Sequence, residues 1–408
     1  MMRRPRLVLY LLALAGAIAT GATAATNADP GITGKTILVG GTTPLSGTAS
    51  AYASVARGAN AYFKFVNSRG GVNGRTITYK TVDDAYDPAK TVQATRQLVE
   101  QDKVFAIFNS LGTEHNVATR DYLNSARVPQ LFVASGATTF GRDYKEYPWT
   151  IGFQPSYRAE GWIYGKYLAR TKPGAKVGVL FQNDDYGKDL LAGLKQGIAG
   201  SKVKVVSAQS FEATDPDVQS QVSKLKASGA NVLALFATPR HAIQGYVFAN
   251  RLAWRPLIIN NAVSSASNIM ALASEGGTNR AVENSISIVF LKDPTDAKWR
   301  NDAAVKLYRS IMSRFAKGAN QKDVYHVYGM AVAYEFVHVL KGAGKNPTRA
   351  SVMTQTRKLN DPSNPFLLPG LTVRTSATER FPIEQAQLQR WSKGSWKSFG
   401  GLWGYRAG

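Results

Sequence analysis

The side chains that could do chemistry are few and badly spaced for it. Four histidines, His115, His241, His326 and His338, are scattered so that no two stand at the i, i+4 interval at which one helix face offers a metal two imidazoles. No serine lies in G-x-S-x-G, and H-E-x-x-H, G-x-x-x-x-G-K-[ST] and G-x-G-x-x-G are absent. The absence of cysteine removes a thiol nucleophile, thiolate zinc and iron–sulfur sites, disulfides and a lipid-modified N-terminal cysteine. Two carboxylate pairs remain, Asp83-Asp84 and Asp184-Asp185, which in another setting could serve acid–base or metal chemistry. Each follows an apolar run of strand character, so we expect them to cap the next helix and line a crevice. Tyr52 and Tyr186 follow strands in Gly-containing turns, where a ring is placed to meet a ligand. Such a chain reads as a binding protein without cofactor or metal, and a secreted enzyme would need a constellation it lacks.

The elements that must position these residues alternate. Thr36-Ile-Leu-Val-Gly-Gly is a short buried-type strand, and Val55, Ala59, Phe63 and Val66 then recur at helical spacing. Further strands are read at 76–82, 104–108, 130–133, 176–181, 203–206, 232–236 and 257–259, with amphipathic stretches between them. Asp87-Pro88 opens a helix, Asp as N-cap and Pro at the first helical position. Asp87-Pro88 followed by Val104-Phe-Ala-Ile-Phe108 returns 128 residues later as Asp215-Pro216 followed by Val232-Leu-Ala-Leu-Phe236. The alternation predicts an α/β protein with parallel sheets covered by helices, and the repeat predicts two similar lobes that bind where their strands end.

With 408 residues, 44% of them hydrophobic and 19% charged, the chain is long enough for two or three folded domains. Arg3, Arg4 and Arg6, the apolar stretch 7–19 and Ala22-Thr23-Ala24 form a cleavable secretory leader over residues 1–24, cut near Ala24/Ala25. Loss of those three arginines lowers the formal charge of +23 to +20. The basic residues are dispersed, without a zinc-finger, RNP or basic-helix pattern, so nucleic acid is not expected as a partner. A basic surface suits an anionic envelope or an anionic solute.

Several pieces then occur in a specific order: Pro44-Leu-Ser-Gly47 with Tyr52 downstream, 59–67 followed by Gly-Gly-Val-Asn-Gly, Asp84 to Pro88, Ser110-Leu-Gly-Thr113, Val128-Pro-Gln-Leu131, Ser135-Gly-Ala-Thr138 and Asp185-Tyr-Gly-Lys188. From about Lys35 to Phe399 the chain resembles the type I periplasmic solute-binding proteins of the leucine/isoleucine/valine branch, which feed ABC importers. The resemblance implies two Rossmann-like lobes joined by a three-strand hinge, with lobe 1 at 35–155 and 291–382 and lobe 2 at 156–290 and 383–408. It implies a monomer in the periplasm that captures a branched-chain amino acid or related small carboxylate and delivers it to an inner-membrane permease. A sensor module using the same lobes without transport is the alternative.

By the same resemblance, Ser110, Gly112, Thr113, Gly136 and Thr138 hold the solute's carboxylate, Tyr52 flanks its body, Tyr186 closes from lobe 2, and Thr238 and Asn261 line the opposite wall. Helix N-termini and small residues do let amides point at an anion. Where amino-acid binders place an acidic residue for the ammonium, this chain has Asn260-Asn261-Ala262. An unpaired ammonium in a closed cleft costs several kcal/mol. The expected solute therefore keeps a carboxylate and lacks the α-amino group, unless Asp184, Asp185 or Glu212 reaches in.

Overall fold

The computed structural model describes residues 29–405, and the leader read at 1–24 lies outside them. In chain order the first part is β1 (Thr36–Thr43), α1 (Ala53–Asn67), β2 (Thr76–Asp83), α2 (Pro88–Arg96), β3 (Ala106–Phe108), α3 (Thr113–Ser125), β4 (Gln130–Val133), α4 (Thr139–Arg142) and β5 (Thr150–Gly152). The second is α5 (Tyr157–Thr171), β6 (Lys176–Gln182), α6 (Asp185–Ile198), β7 (Lys204–Phe211), α7 (Gln219–Ala227), β8 (Val232–Phe236), α8 (Pro239–Arg251), β9 (Leu257–Asn260), α9 (Ser267–Ala273) and β10 (Ile286–Val289). The last is α10 (Ala303–Phe315), α11 (Val324–Gly342), α12 (Arg349–Thr356), β11 (Asn360–Asp361), β12 (Val373–Arg374), β13 (Gln385–Ser392) and β14 (Ser395–Gly404).

These strands form two principal sheets. The first is parallel throughout, in the order β2-β1-β3-β4-β5. The second runs β14-β13-β10-β9-β8-β6-β7, and its β7 to β10 part repeats the same order in parallel, with the antiparallel hairpin β13–β14 added beyond β10. The sequence repeat is thus a repeat of topology, and β2 and β7 start at its offset, Thr76 against Lys204. Such sheets open a crevice outside their strand C-termini, where the order reverses.

The two halves cap their helices differently. Asp87 accepts from the amides of Ala89 (2.8 Å) and Lys90 (3.3 Å), with Pro88 at the first helical position. Its counterpart Asp215 does not cap α7, which starts later at Gln219, and instead accepts from the Glu212 amide at 2.9 Å within a turn. Of the carboxylate pairs, Asp184 caps α6 through the Gly187 amide (3.1 Å). Asp83 caps no helix: it gathers the amides of Leu45 (2.9 Å) and Ser46 (3.2 Å) and the Ser46 hydroxyl (2.6 Å), pinning the loop after β1.

The chain leaves the first sheet after Gly152, returns after β10, where the Lys292 amide bonds the Phe366 carbonyl at 2.9 Å, and crosses again before β13. On the return, α11 lies against α1 through glycines, since a side chain on Gly58 would strike the His326 backbone and one on Gly329 the Val55 carbonyl. The same device docks α5 on α6, where Gly161 faces the Leu190 carbonyl and Gly193 that of Arg158. These backbone-close contacts set the height at which the first turns of α5 and α6 face the first sheet. Among the described residues, no helix is long and apolar enough to cross a membrane.

Because a methyl group on Gly193 would collide with the backbone of Arg158, Gly193→Ala should cost about 1–3 kcal/mol of unfolding free energy. Gly34→Ala, which meets nothing within 4 Å, should stay within about 0.5 kcal/mol. Urea unfolding of the two variants checks this, and equal midpoints would contradict the packing.

Candidate solute-binding cleft

The C-terminal ends of the two sheets face each other across a cleft with about 800 Å³ of empty space, its mouth included. Its first wall is built from the start of α1 (Tyr52, Val55), the turn after β2 (Tyr86) and the β3–α3 turn (Leu111, Gly112, Thr113). The second comes from the first turns of α5 (Tyr157, Glu160) and α6 (Tyr186), the β8–α8 turn (Thr238) and the turn after β9 (Ala262, Val263). Phe290 and Leu291 from the return crossing and Tyr325 and Tyr328 from α11 close the remaining side. Aliphatic and aromatic groups dominate, as in pockets for small organic solutes.

On the first wall, Gly112 takes φ +113°, a conformation open to glycine, and a side chain there would meet the His115 ring. Gly112 is also the N-cap of α3 and supplies no side-chain oxygen, so the first amides of that helix are left for another acceptor. The Thr113 hydroxyl bonds that of Ser135 at 2.7 Å beside them. The combination of free helix-start amides, the helix dipole and a neighbouring hydroxyl can hold a carboxylate.

Five of the nine sequence-predicted residues line this space: Tyr52, Gly112, Thr113, Tyr186 and Thr238. The other four lie behind it. Ser110 spends its hydroxyl on the Thr42 amide at 3.0 Å, tying the turn to β1. Gly136 lends its carbonyl to the Tyr157 amide at 2.7 Å, supporting the second wall. The Thr138 amide donates to the Asp189 carboxylate of α6 at 2.6 Å, which takes it away from any solute. Asn261 is fully buried; with its amide nitrogen turned to the available acceptors it donates to the Leu235 and Ala237 carbonyls (3.2 Å each) and bonds the Tyr186 hydroxyl at 3.0 Å. It positions Tyr186 and does not line the cleft.

The acidic group missing at Asn261 is present elsewhere. Glu160, one turn into α5, is buried in the second wall, and its Oε1 accepts from the Tyr164 hydroxyl and the Ala262 amide, both at 2.6 Å. Among the described residues no donor reaches Oε2. Burial raises this carboxyl from the ordinary range to about 7, with the two donors pulling the other way. The carboxylates suggested by the sequence stay off the cleft lining: Asp184 caps α6, Asp185 is exposed at the start of that helix, and Glu212 accepts from the Asn183 amide at 2.7 Å. Tyr86, Tyr157, Tyr325 and Tyr328 are likewise lining residues the sequence reading missed. Tyr157 and Glu160 directly follow the lobe boundary expected between 155 and 156, a segment that must border any cleft between lobes, so position alone could have flagged them. Tyr325 and Tyr328 carry no such signal, being far along the chain in a helix that is apolar almost throughout.

Six tyrosines therefore share the cleft lining with one carboxylate. Tyr157 and Tyr186 meet edge to face with centroids 4.8 Å apart, as do Tyr52 and Tyr325 at 5.2 Å. Burial pushes the hydroxyls of Tyr52, Tyr157, Tyr186 and Tyr325 above the ordinary tyrosine range, so they stay neutral donors. Two of them cross the cleft: the Tyr52 and Tyr325 hydroxyls both donate to the Val263 carbonyl, at 3.0 and 2.6 Å. With Thr138 on Asp189 and Asp185 on Glu114, these bonds join the walls in a closed arrangement.

Known proteins share this architecture. The periplasmic binding protein family matches residues 36–395. A Pseudomonas aeruginosa protein named amino acid binding protein is 22% identical over 298 residues, 72% of this chain and 75% of its own. Among solved structures, a fatty acid ABC transporter substrate-binding protein from Thermomonospora curvata has a TM-score of 0.79 at 21% identity, covering 93% of this chain and 95% of that one. A branched chain amino acid ABC transporter protein from Thermus thermophilus with bound valine also reaches 0.79, at 18% identity, covering 91% of this chain and 96% of that one. At those identities the structures establish the fold, two lobes of the type I periplasmic binding protein class. With the match extending over nearly all of its described length, the chain belongs to the periplasmic binding protein family.

Proposed function

We propose that the protein captures an amino acid with an apolar side chain between its two lobes in the periplasm and presents it to an ABC importer. The reading rests on Glu160, a buried carboxylate with one oxygen free of protein donors in the same cleft as the uncapped start of α3. A zwitterion matches that pair: its carboxylate takes the amides after Gly112 and the Thr113 hydroxyl, and its ammonium neutralises Glu160 among tyrosine faces and hydroxyls. The apolar lining then receives the side chain. Similarity to an amino acid binding protein and to a valine-bound structure agrees with this assignment. So does the leader read at 1–24, which accounts for export. In this reading residues 35–155 with 291–382 move as lobe 1 and 156–290 with 383–408 as lobe 2, hinged at the three crossings, as a monomer.

Calorimetry with aliphatic and aromatic amino acids, each beside its des-amino analogue, tests the solute class. Leucine or a relative should bind at least tenfold tighter than its analogue. Glu160→Gln should weaken the amino acid by about 1.5–3 kcal/mol, the range for losing a charged hydrogen bond, and leave the analogue unchanged. Equal affinity for a pair such as leucine and 4-methylpentanoate, insensitive to Glu160→Gln, would assign the cleft to carboxylates without an ammonium.

Closure generates a second expectation. Solute should favour the arrangement in which the Val263 carbonyl accepts from both tyrosines, so small-angle scattering should report a smaller radius of gyration with saturating solute. The Tyr52→Phe, Tyr325→Phe double variant removes both donors and should recover less of that contraction. An identical radius in all states, with binding verified by calorimetry, would rule out the hinge.

A further inference from the structure

Away from the cleft, three side chains converge where the C-terminal half of α11 meets β11. Glu335 and His338 stand at i, i+3 on one face of the helix, and Asp361 ends the facing strand. One ligand atom from each lies within 4.8 Å of the others. Glu335 is fully buried, and among the described residues its Oε1 has no hydrogen-bond partner while Oε2 is approached by the Asn364 amide at 3.5 Å. Asp361 is 2% exposed and turns Oδ1 to the Ser363 amide at 2.7 Å. Its Oδ2, also sealed from solvent, faces His338 Nδ1 at 3.5 Å, too far for a proper hydrogen bond. Two buried acidic oxygens thus point at one imidazole and at each other without donors, an arrangement native proteins avoid unless something else occupies the gap.

We propose that Glu335, His338 and Asp361 bind a first-row divalent cation of the zinc type, which clips α11 to the 360–364 segment. Two carboxylates and a neutral imidazole offer a charge of minus two and the oxygen and nitrogen donors such ions take. Metal–ligand bonds of about 2.0–2.2 Å place tetrahedral donors roughly 3.4 Å apart, so the side chains need close by at most about 1.4 Å. The half-exposed His338 is the entry side, and a water completes the coordination there. Burial and the neighbouring Asp361 push the Glu335 carboxyl up to about 8, a repulsion a cation would relieve. The clip acts on the fold of the first lobe and through it on the cleft: Tyr325 is ten residues before Glu335 on the same helix, about 15 Å along its axis.

Calorimetric titration of tag-free, chelator-stripped protein with Zn²⁺, paralleled by Co²⁺ absorption spectra, tests the site. One ion should bind per chain and raise the thermal midpoint. His338→Ala should lower the affinity at least tenfold while leaving the metal-free midpoint unchanged, because His338 is half exposed whereas His115, His241 and His326 are buried. Asp361→Asn should abolish the Co²⁺ visible bands. The site is overturned if no saturable binding is seen, or if His338→Ala binds as the parent does, which moves the ion elsewhere.

Discussion

Glu160 carries a charge that the fold cannot neutralise by itself. Its Oε1 is held by the Tyr164 hydroxyl and the Ala262 amide, which orient the group, but among the described residues no cation forms an ion pair with it and its carboxyl is raised to about 7. A carboxyl lifted above its unfolded value of about 4.3 contributes stability in full below that value and loses it as pH rises through 7. At neutral pH the empty protein therefore gives up some stability to keep this oxygen available. Placing a cationic group there would return it, and in the proposed function this turns a local electrostatic cost into affinity for a solute carrying an ammonium.

The rest of the architecture serves that placement. Glycines at 161 and 193 let α5 and α6 touch backbone to backbone, which sets Tyr157, Glu160 and Tyr186 on one wall. Asn261 stands behind the same wall and holds Tyr186, and Gly136, in the turn after β4 of the first sheet, holds Tyr157. On the opposite wall, Gly112 leaves the start of α3 open. The two walls then meet through neutral tyrosine hydroxyls on the Val263 carbonyl and through the Thr138 amide on Asp189. These links are few and cheap to break, as a protein that must admit and release its solute requires.

Much of this was legible from sequence, because strand and helix periodicity are local. The strands at 130–133 and 232–236 came out with the observed bounds, and the 128-residue offset pointed to a repeated topology. The capping rule held at Asp87 and failed at Asp215, where the same dipeptide bends a turn ahead of a later helix. The site was harder, since lining a cleft depends on which way a turn faces once two lobes have packed. Ser110, Gly136, Thr138 and Asn261 stand in the expected loops, yet each faces the protein. Glu160 drew no notice by its type, because a glutamate in the first turn of a helix is common, and only its place beside the lobe boundary marked it. Its burial appears only when β9 brings the Ala262 amide against it.

The number of protons released on binding reports whether an ammonium meets Glu160. At pH 6 a carboxyl titrating near 7 is about nine-tenths protonated, so an ammonium-bearing solute must drive most of one proton off Glu160 as it binds. Calorimetry of the tightest-binding amino acid, repeated at pH 6 in buffers of different ionisation enthalpy, measures that number. Release of close to one proton is expected at pH 6, falling towards zero by pH 8.5 and lost in Glu160→Gln. Zero release at pH 6, or proton uptake, would contradict it.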